Sequence, residues 1–214
     1  MPKTISLPDW SGQDVYLIGG GPSLRGFDFN QLIPRNTIGC NHAFLLGPAI
    51  CKVCIFGDFK FWAHYSMALA EFAGWVASPK HTDTHQADWI HFFPRQYDGL
   101  ATDKLAWNAN TGAAAINLAL ILGAKRIYLL GYDCTMDYAN RSKPESSHWH
   151  DQRIEVPQAQ HYARFAQGFC QVADALPIVF PGRQVFNVSE GSSKLECFPI
   201  VNFSDAKLRG LGDG

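Results

Sequence analysis

The chain has 214 residues, 47% hydrophobic and 17% charged, with a formal net charge of -1. That length and composition fit one folded domain with a sizeable core and exclude an intrinsically disordered chain. The near-neutral total gives no electrostatic reason to expect a nucleic-acid partner, and no apolar stretch approaches a membrane span.

The opening "MPKTISLPDW" lacks the apolar core of a signal peptide, so a reducing, cytoplasmic setting with free thiols is expected. Residues 1–12 and 205–214 are expected to be flexible ends. Three compact apolar runs, Val15 to Ile18, Thr37 to Cys40 and Val53 to Phe56, read as strands of a parallel sheet covered on both faces. "FKFWAHYSMALAEF", Phe59 to Phe72, reads as a helix with Gly74 beyond its end. Strands follow at Trp75 to Ser78 and Ile90 to Phe93. Asn110 or Thr111 can cap an Ala/Leu-rich helix that Gly123 ends, and Arg126 to Leu130 is the next strand. The polar stretch from Cys134 to Val156 is as long as loops that usually carry function, and is expected to serve as an active-site loop. Pro157 can start a helix running to Leu176, with Ile178 to Phe180 and Val185 to Asn187 as late strands. The alternation predicts a single α/β domain over 1–214. Its doubly wound, Rossmann-like, mainly parallel sheet would carry helices on both faces and bind ligands beyond the carboxyl ends of its strands.

That rule gives meaning to "VYLIGGGPSL", where the first strand runs into Gly19, Gly20, Gly21, Pro22 and Ser23. Glycines there leave backbone N–H groups unshielded, a following helical turn adds its positive end, and phosphate is the natural guest. Pro22 suits a first helical position and Ser23 offers a hydroxyl. The stretch is neither G-x-G-x-x-G, since Leu24 stands at the third glycine, nor a P-loop, since no Gly-Lys-Ser/Thr follows. The bland alternative is a tight turn with no ligand. The six cysteines include Cys51 and Cys54 at C-x-x-C spacing, but no second close pair completes a zinc site, and Cys54 reads as a buried strand thiol.

"LIGGGPSLRGFDF", "GCNHAF", "NTGAAAINLALILGAKRIYLLGYDC" and "SSHWH" occur in this order. In this the chain resembles the bacterial sialyltransferases of the Campylobacter type, over roughly residues 14 to 200. That superfamily also takes in motility-associated flagellin glycosyltransferases and phage proteins of uncharacterised activity. The resemblance implies a metal-independent glycosyltransferase that needs no cofactor and uses a CMP-activated sugar as donor. It also implies assembly into oligomers. By the same resemblance Gly19, Gly21, Ser23 and Asn41 hold the nucleotide, Thr111 and Gly112 sit beside the sugar or phosphate, and Asp133, after Gly131, approaches the nucleotide. His148 matches the family's general base. Thr135 stands where the family has a tyrosine, Tyr138 is the candidate for a second one, and Asn108 replaces an arginine.

The chemistry has its own logic. Transfer needs a group to take the acceptor hydroxyl's proton, and histidine, with an ordinary pKa of about 6.5, suits neutral pH. The departing phosphate gains charge, so donors such as Ser23, Asn41, Asn110, Thr111 and Tyr138 should surround it. His150 competes with His148 for the base role. On an extended loop the two are expected to point to opposite sides, poorly placed to share a metal, and no metal site is assigned. Asp58 is expected either to meet a ribose hydroxyl or to cap the next helix. Asn187, Ser189, Ser192 and Ser193 could close over a phosphate, and Trp149 could line an acceptor site. The acceptor itself is not legible. Two other readings stay open: an ATP- and Mg²⁺-dependent pyrophosphokinase-like enzyme, which must gather Asp58, Asp133 and Asp137, and a non-catalytic nucleotide-binding protein on the same fold.

Overall fold

A computed structural model describes residues 6–80, 87–143, 146–152, 154–156, 158–188 and 193–204, without the side chains of residues 80 and 138. Its strands are β1 (Asp14–Ile18), β2 (Asn36–Cys40), β3 (Val53–Ile55), β4 (Trp75–Lys80), β5 (Ile90–Gln96), β6 (Leu105–Ala106), β7 (Arg126–Leu130) and β8 (Gln184–Val188). They form one open sheet in the order β6-β5-β4-β3-β2-β1-β7-β8, with every pairing parallel. The helices are α1 (Phe59–Glu71), α2 (Thr111–Ile121) and α3 (Ala159–Val179). The α/β, Rossmann-like fold expected from the alternation is the fold observed.

Strand alternation builds two cores. Val15, Leu17, Ile38, Val53, Ile127 and Leu129 face α2 and Phe169 of α3. Tyr16, Ile18, Cys54, Val76, Tyr128 and Leu130 face Phe61 and Leu69 of α1 on the other side. Because both faces are covered, the strands read as unbroken apolar runs. Strand order reverses across the sheet between β1 and β7, and crevices outside the carboxyl ends of strands open at such a switch point.

Two expectations need correction, and one strand was not foreseen. Ile178 to Phe180 is not a strand: α3 continues through Pro177 to Val179, Ile178 is 81% exposed, and β8 takes the place beside β7. The two-residue β6 was too short to find by periodicity. It is held by Asn117 of α2, whose Oδ1 accepts from the Ala101 and Ala106 N–H groups. Residues 6–12 pack rather than trail, since Trp10 is buried and its N–H donates to the Leu122 carbonyl. Residues 1–5 and 205–214, and the expected helix start at Pro157, lie outside the described residues.

Candidate active site

A cavity of about 720 Å³ opens over the carboxyl ends of β1, β2, β3 and β7. It falls within the usual range for small-ligand sites. Most of the residues picked out from the sequence line it: Gly19, Gly20, Gly21, Asn41, Asp58, Asn110, Thr111, Gly112, Gly131, Asp133, His148 and His150. Pro22 and Ser23 are not among its lining residues. Tyr138 opens a single 3-10 turn, and its side chain lies outside the described residues.

The glycine turn has a different logic from the one expected. The Gly19 N–H donates to the Leu130 carbonyl, the Gly21 N–H to Gly131, and the Ser23 N–H to Asp133 Oδ2 at 2.8 Å. These amides belong to the protein, not to a waiting anion. A Cβ on Gly19 would lie 2.5 Å from the Gly131 carbonyl oxygen, and one on Gly21 would lie 2.3 Å from Asp133 Oδ2. Two of the three glycines are therefore demanded by close packing of the β1 turn against the β7 turn. Asp133 is buried and clamps that contact. Gly20 differs from its neighbours in its amide. Its N–H has no partner among the described residues, and a Cβ there would sit 3.2 Å from His148 Cδ2.

Further backbone amides line the same cavity at the start of α2. Asn110 caps α2 by accepting from the Ala113 N–H at 2.7 Å, while the Thr111 and Gly112 N–H groups have no partner among the described residues. They open at the positive end of an 11-residue helix. The turn leading there is strained, with Asn108 at φ 45° and Ala109 at φ 59°. Asn108, at the family's arginine position, is buried and exchanges hydrogen bonds with the Gly99 backbone. It holds a loop and does not line the cavity. Asn41 follows β2 at φ 50°, with its Oδ1 buried and unpartnered. Asp58 stands at the α1 N-cap position without a side-chain cap bond and is exposed along the cavity.

The loop bearing His148 is pinned to the glycine turn by Trp149, whose backbone N–H donates to the Gly20 carbonyl at 3.1 Å and whose Nε1 donates to the Gly19 carbonyl at 2.8 Å. Trp149 also packs on Phe29 and is not among the residues that line the cavity. His148 Nδ1 shares a 2.8 Å hydrogen bond with Ser147 Oγ. The expectation that His148 and His150 diverge fails: their rings lie 5.1 Å apart. Side chains two residues apart on extended backbone share a face, and Trp149 takes the other. A third imidazole continues the stack, with His42 4.5 Å from His150 and boxed by Phe61 and Tyr65. Burial, helped by the neighbouring imidazoles, lowers His42 to about 3. Burial lowers His150 to about 4, against the upward pull of Gln152 and Asp151. Both are neutral near pH 7. Burial likewise pushes the lining thiols Cys40 and Cys134 up to about 12, so neither supplies a thiolate nucleophile. His42 was not singled out in the sequence. Its signal is its place, the second residue after β2 on the ligand edge.

Other expected site residues serve structure. Asn187 is buried and donates to Ser193 Oγ and the Leu195 carbonyl, and Ser193 Oγ donates to the Tyr132 carbonyl. Ser189 and Ser192 lie outside the described residues. Cys54 is buried in β3, as expected, and Cys51 is buried as well. Among the described residues, no group of three or more His, Cys, Asp or Glu side chains could hold a metal ion, and no helix is long and apolar enough to cross a membrane.

No protein-family model and no curated protein matches the chain. Among solved structures it resembles the sialyltransferase CstII from Campylobacter jejuni, described in complex with a substrate analogue, cytidine-5'-monophosphate. The identity is 14% over 84% of this chain and 81% of that one, at a TM-score of 0.43. A likeness this distant assigns no residue and no activity.

Proposed function

We propose that the cavity binds a nucleotide-activated sugar, CMP-linked by the sequence resemblance, and transfers the sugar to an acceptor without a metal ion. His148 is the general base. The observation that carries this reading is the imidazole set against Gly20 at the β1/β7 switch point, in one cavity with the open first turn of α2. With the hydrogen on Nδ1 and donated to Ser147 Oγ, His148 Nε2 is the nitrogen that takes the acceptor hydroxyl's proton. The acceptor oxygen bonds to the anomeric carbon as the bond from that carbon to the phosphate oxygen breaks. CMP leaves with the electron pair, and the Gly20, Thr111 and Gly112 N–H groups stabilise its charge. The neutral His150 and His42 pack behind the base as a wall that offers it no competing cation.

The pyrophosphokinase reading fares worse on geometry. Asp133 is spent on the Ser23 N–H, and Asp137 caps its own turn and does not line the cavity. The test is direct. Thermal-shift measurements with CMP, UDP and ATP plus Mg²⁺ should show stabilisation by CMP without metal. His148→Ala should cut transfer or donor hydrolysis by at least 10²-fold while CMP affinity changes less than about threefold, the usual range for loss of a general base. Full activity in His148→Ala would remove the base assignment, and stabilisation only by ATP with Mg²⁺ would replace the reading.

A further inference from the structure

We infer that Lys60 is a binding residue for the ligand's phosphate and that Glu155 occupies it in the ligand-free protein, as an internal stand-in for that anion. The inference rests on the proposed nucleotide reading and extends it to a residue on α1 and a strap across the cavity.

Lys60 lies in the first turn of α1 and lines the cavity. Glu155 lines it too and forms an ion pair and hydrogen bond with Lys60. Glu155 belongs to a segment whose Ile154 and Val156 also line the cavity. Of the other lining carboxylates, Asp133 is clamped under the glycine turn, and Asp58 stands at the α1 N-cap position without a side-chain cap bond. Glu155 is the lining acid that arrives on an exposed strap and meets a lining cation.

Magnitudes favour exchange. The Lys60 and Glu155 side chains are 67% and 55% exposed, and ion pairs that wet contribute little net stability. Among the described residues, the strap's other side-chain polar ties are slight, Arg25 to Asp151 at 3.7 Å with both side chains exposed and Tyr65 to Gln152 at 3.4 Å, while Ile154 packs against the apolar core on the α1 side. A phosphate carries more charge and more acceptor oxygens than a carboxylate, and it would also meet the unpartnered Thr111 and Gly112 amides. Ligand entry then trades Glu155 for phosphate on Lys60 and frees the strap, with no bond made or broken covalently. The exchange also fits the site's shortage of side-chain donors, since Thr135 and Asn108 stand where the resembled family has a tyrosine and an arginine.

The test compares CMP with cytidine, which lacks the phosphate, by calorimetric titration of the full chain. Glu155→Gln should tighten CMP by about two- to fivefold, the scale of one exposed pair, and leave cytidine unchanged. Lys60→Gln should weaken CMP by a similar factor, and the double variant should match Lys60→Gln. Asp151→Asn loosens the strap without touching Lys60 and should change neither ligand. If Glu155→Gln shifts both ligands alike, or Asp151→Asn tightens CMP as much, the effect is loosening and the exchange is refuted. If wild type binds neither CMP nor cytidine, the nucleotide reading falls. Pyrophosphate then serves as the probe in a thermal-shift series on the same variants. The same pattern would keep the exchange, and no response would end it.

Discussion

The turn after β1 and the first turn of α2 line one cavity, and both bring backbone amides to its edge. They end differently. In the β1 turn, Gly19, Gly21 and Ser23 give their N–H groups to β7 and Asp133, and only Gly20 stays open. In α2, Asn110 satisfies the Ala113 N–H and leaves Thr111 and Gly112 facing the cavity. A glycine-rich turn thus marks close packing first and anion binding second. The more open electrophilic edge is a helix start with an unremarkable composition.

The largest expected difference between these regions is in acid. The β1 turn is backed by His148, His150 and His42, whereas the α2 turn from Asn110 to Ala113 contains no titrating side chain. His42 and His150 are held at about 3 and about 4 in the fold, and an unfolded chain titrates near 6.5. Below pH 6.5 the unfolded state takes up protons that the folded state refuses. Stability is therefore full above about 6.5 and falls as pH drops toward 4, by on the order of 1.4 kcal/mol per pH unit for each imidazole. Denaturant unfolding from pH 7 to pH 4.5 should lose several kcal/mol. His42→Phe should flatten the slope while remaining folded at pH 7, because His42 Nε2 has no hydrogen-bond partner to lose. Amide exchange should rise in residues 19–25 before α2. A pH-independent stability, or α2 opening first, would break the contrast.

Next in size is the glycine turn itself. Gly21→Ala drives a Cβ to 2.3 Å from Asp133 Oδ2 and 2.6 Å from the Gly131 carbonyl oxygen. Both neighbours are held in place, so about 3 kcal/mol of stability should go, as for overpacking elsewhere. Gly20→Ala meets His148 Cδ2 at 3.2 Å, a contact a side chain can ease. That variant should lose under about 1 kcal/mol but weaken CMP and slow transfer, since it crowds the one open amide. Equal destabilisation by both substitutions would mean that the turn has no packed side and no open side.

Much of this architecture was legible in the chain, and the gaps have physical causes. Strands buried on both faces announce themselves as short apolar runs, so β1, β2, β3 and β7 and the site edge they imply were readable. What was not readable depends on pairs distant in sequence. Ser23 and Asp133 are 110 residues apart, and nothing local tells that this aspartate takes up the turn's amides. The row of His42, His150 and His148 joins segments on either side of the sheet's switch point, so the first was not singled out and the other two were expected to diverge. Ile178 to Phe180 misled because Pro177 suggests a helix end, yet α3 carries Pro177 in its last turn and continues to Val179. Asn108 kept a site position in the resemblance but spends both ends of its amide on the backbone of Gly99, a bond no motif displays.

The smallest effect separates structure from ligand on the α2 side. Asn110→Ala removes the acceptor for the Ala113 N–H and should cost about 1 kcal/mol, the usual loss for a helix cap. Asn110→Asp keeps an acceptor at the same place and adds a negative charge at the positive end of the helix, so stability should return to within a few tenths of a kcal/mol of wild type or exceed it. If Thr111 and Gly112 face an anion, that same charge must repel it. The aspartate variant should therefore be as stable as wild type yet bind CMP several-fold more weakly, and cytidine should be nearly indifferent to the change. Stability and affinity moving together across Ala, Asn and Asp would mean that the first turn of α2 only folds. Their moving apart would assign the helix start to the phosphate.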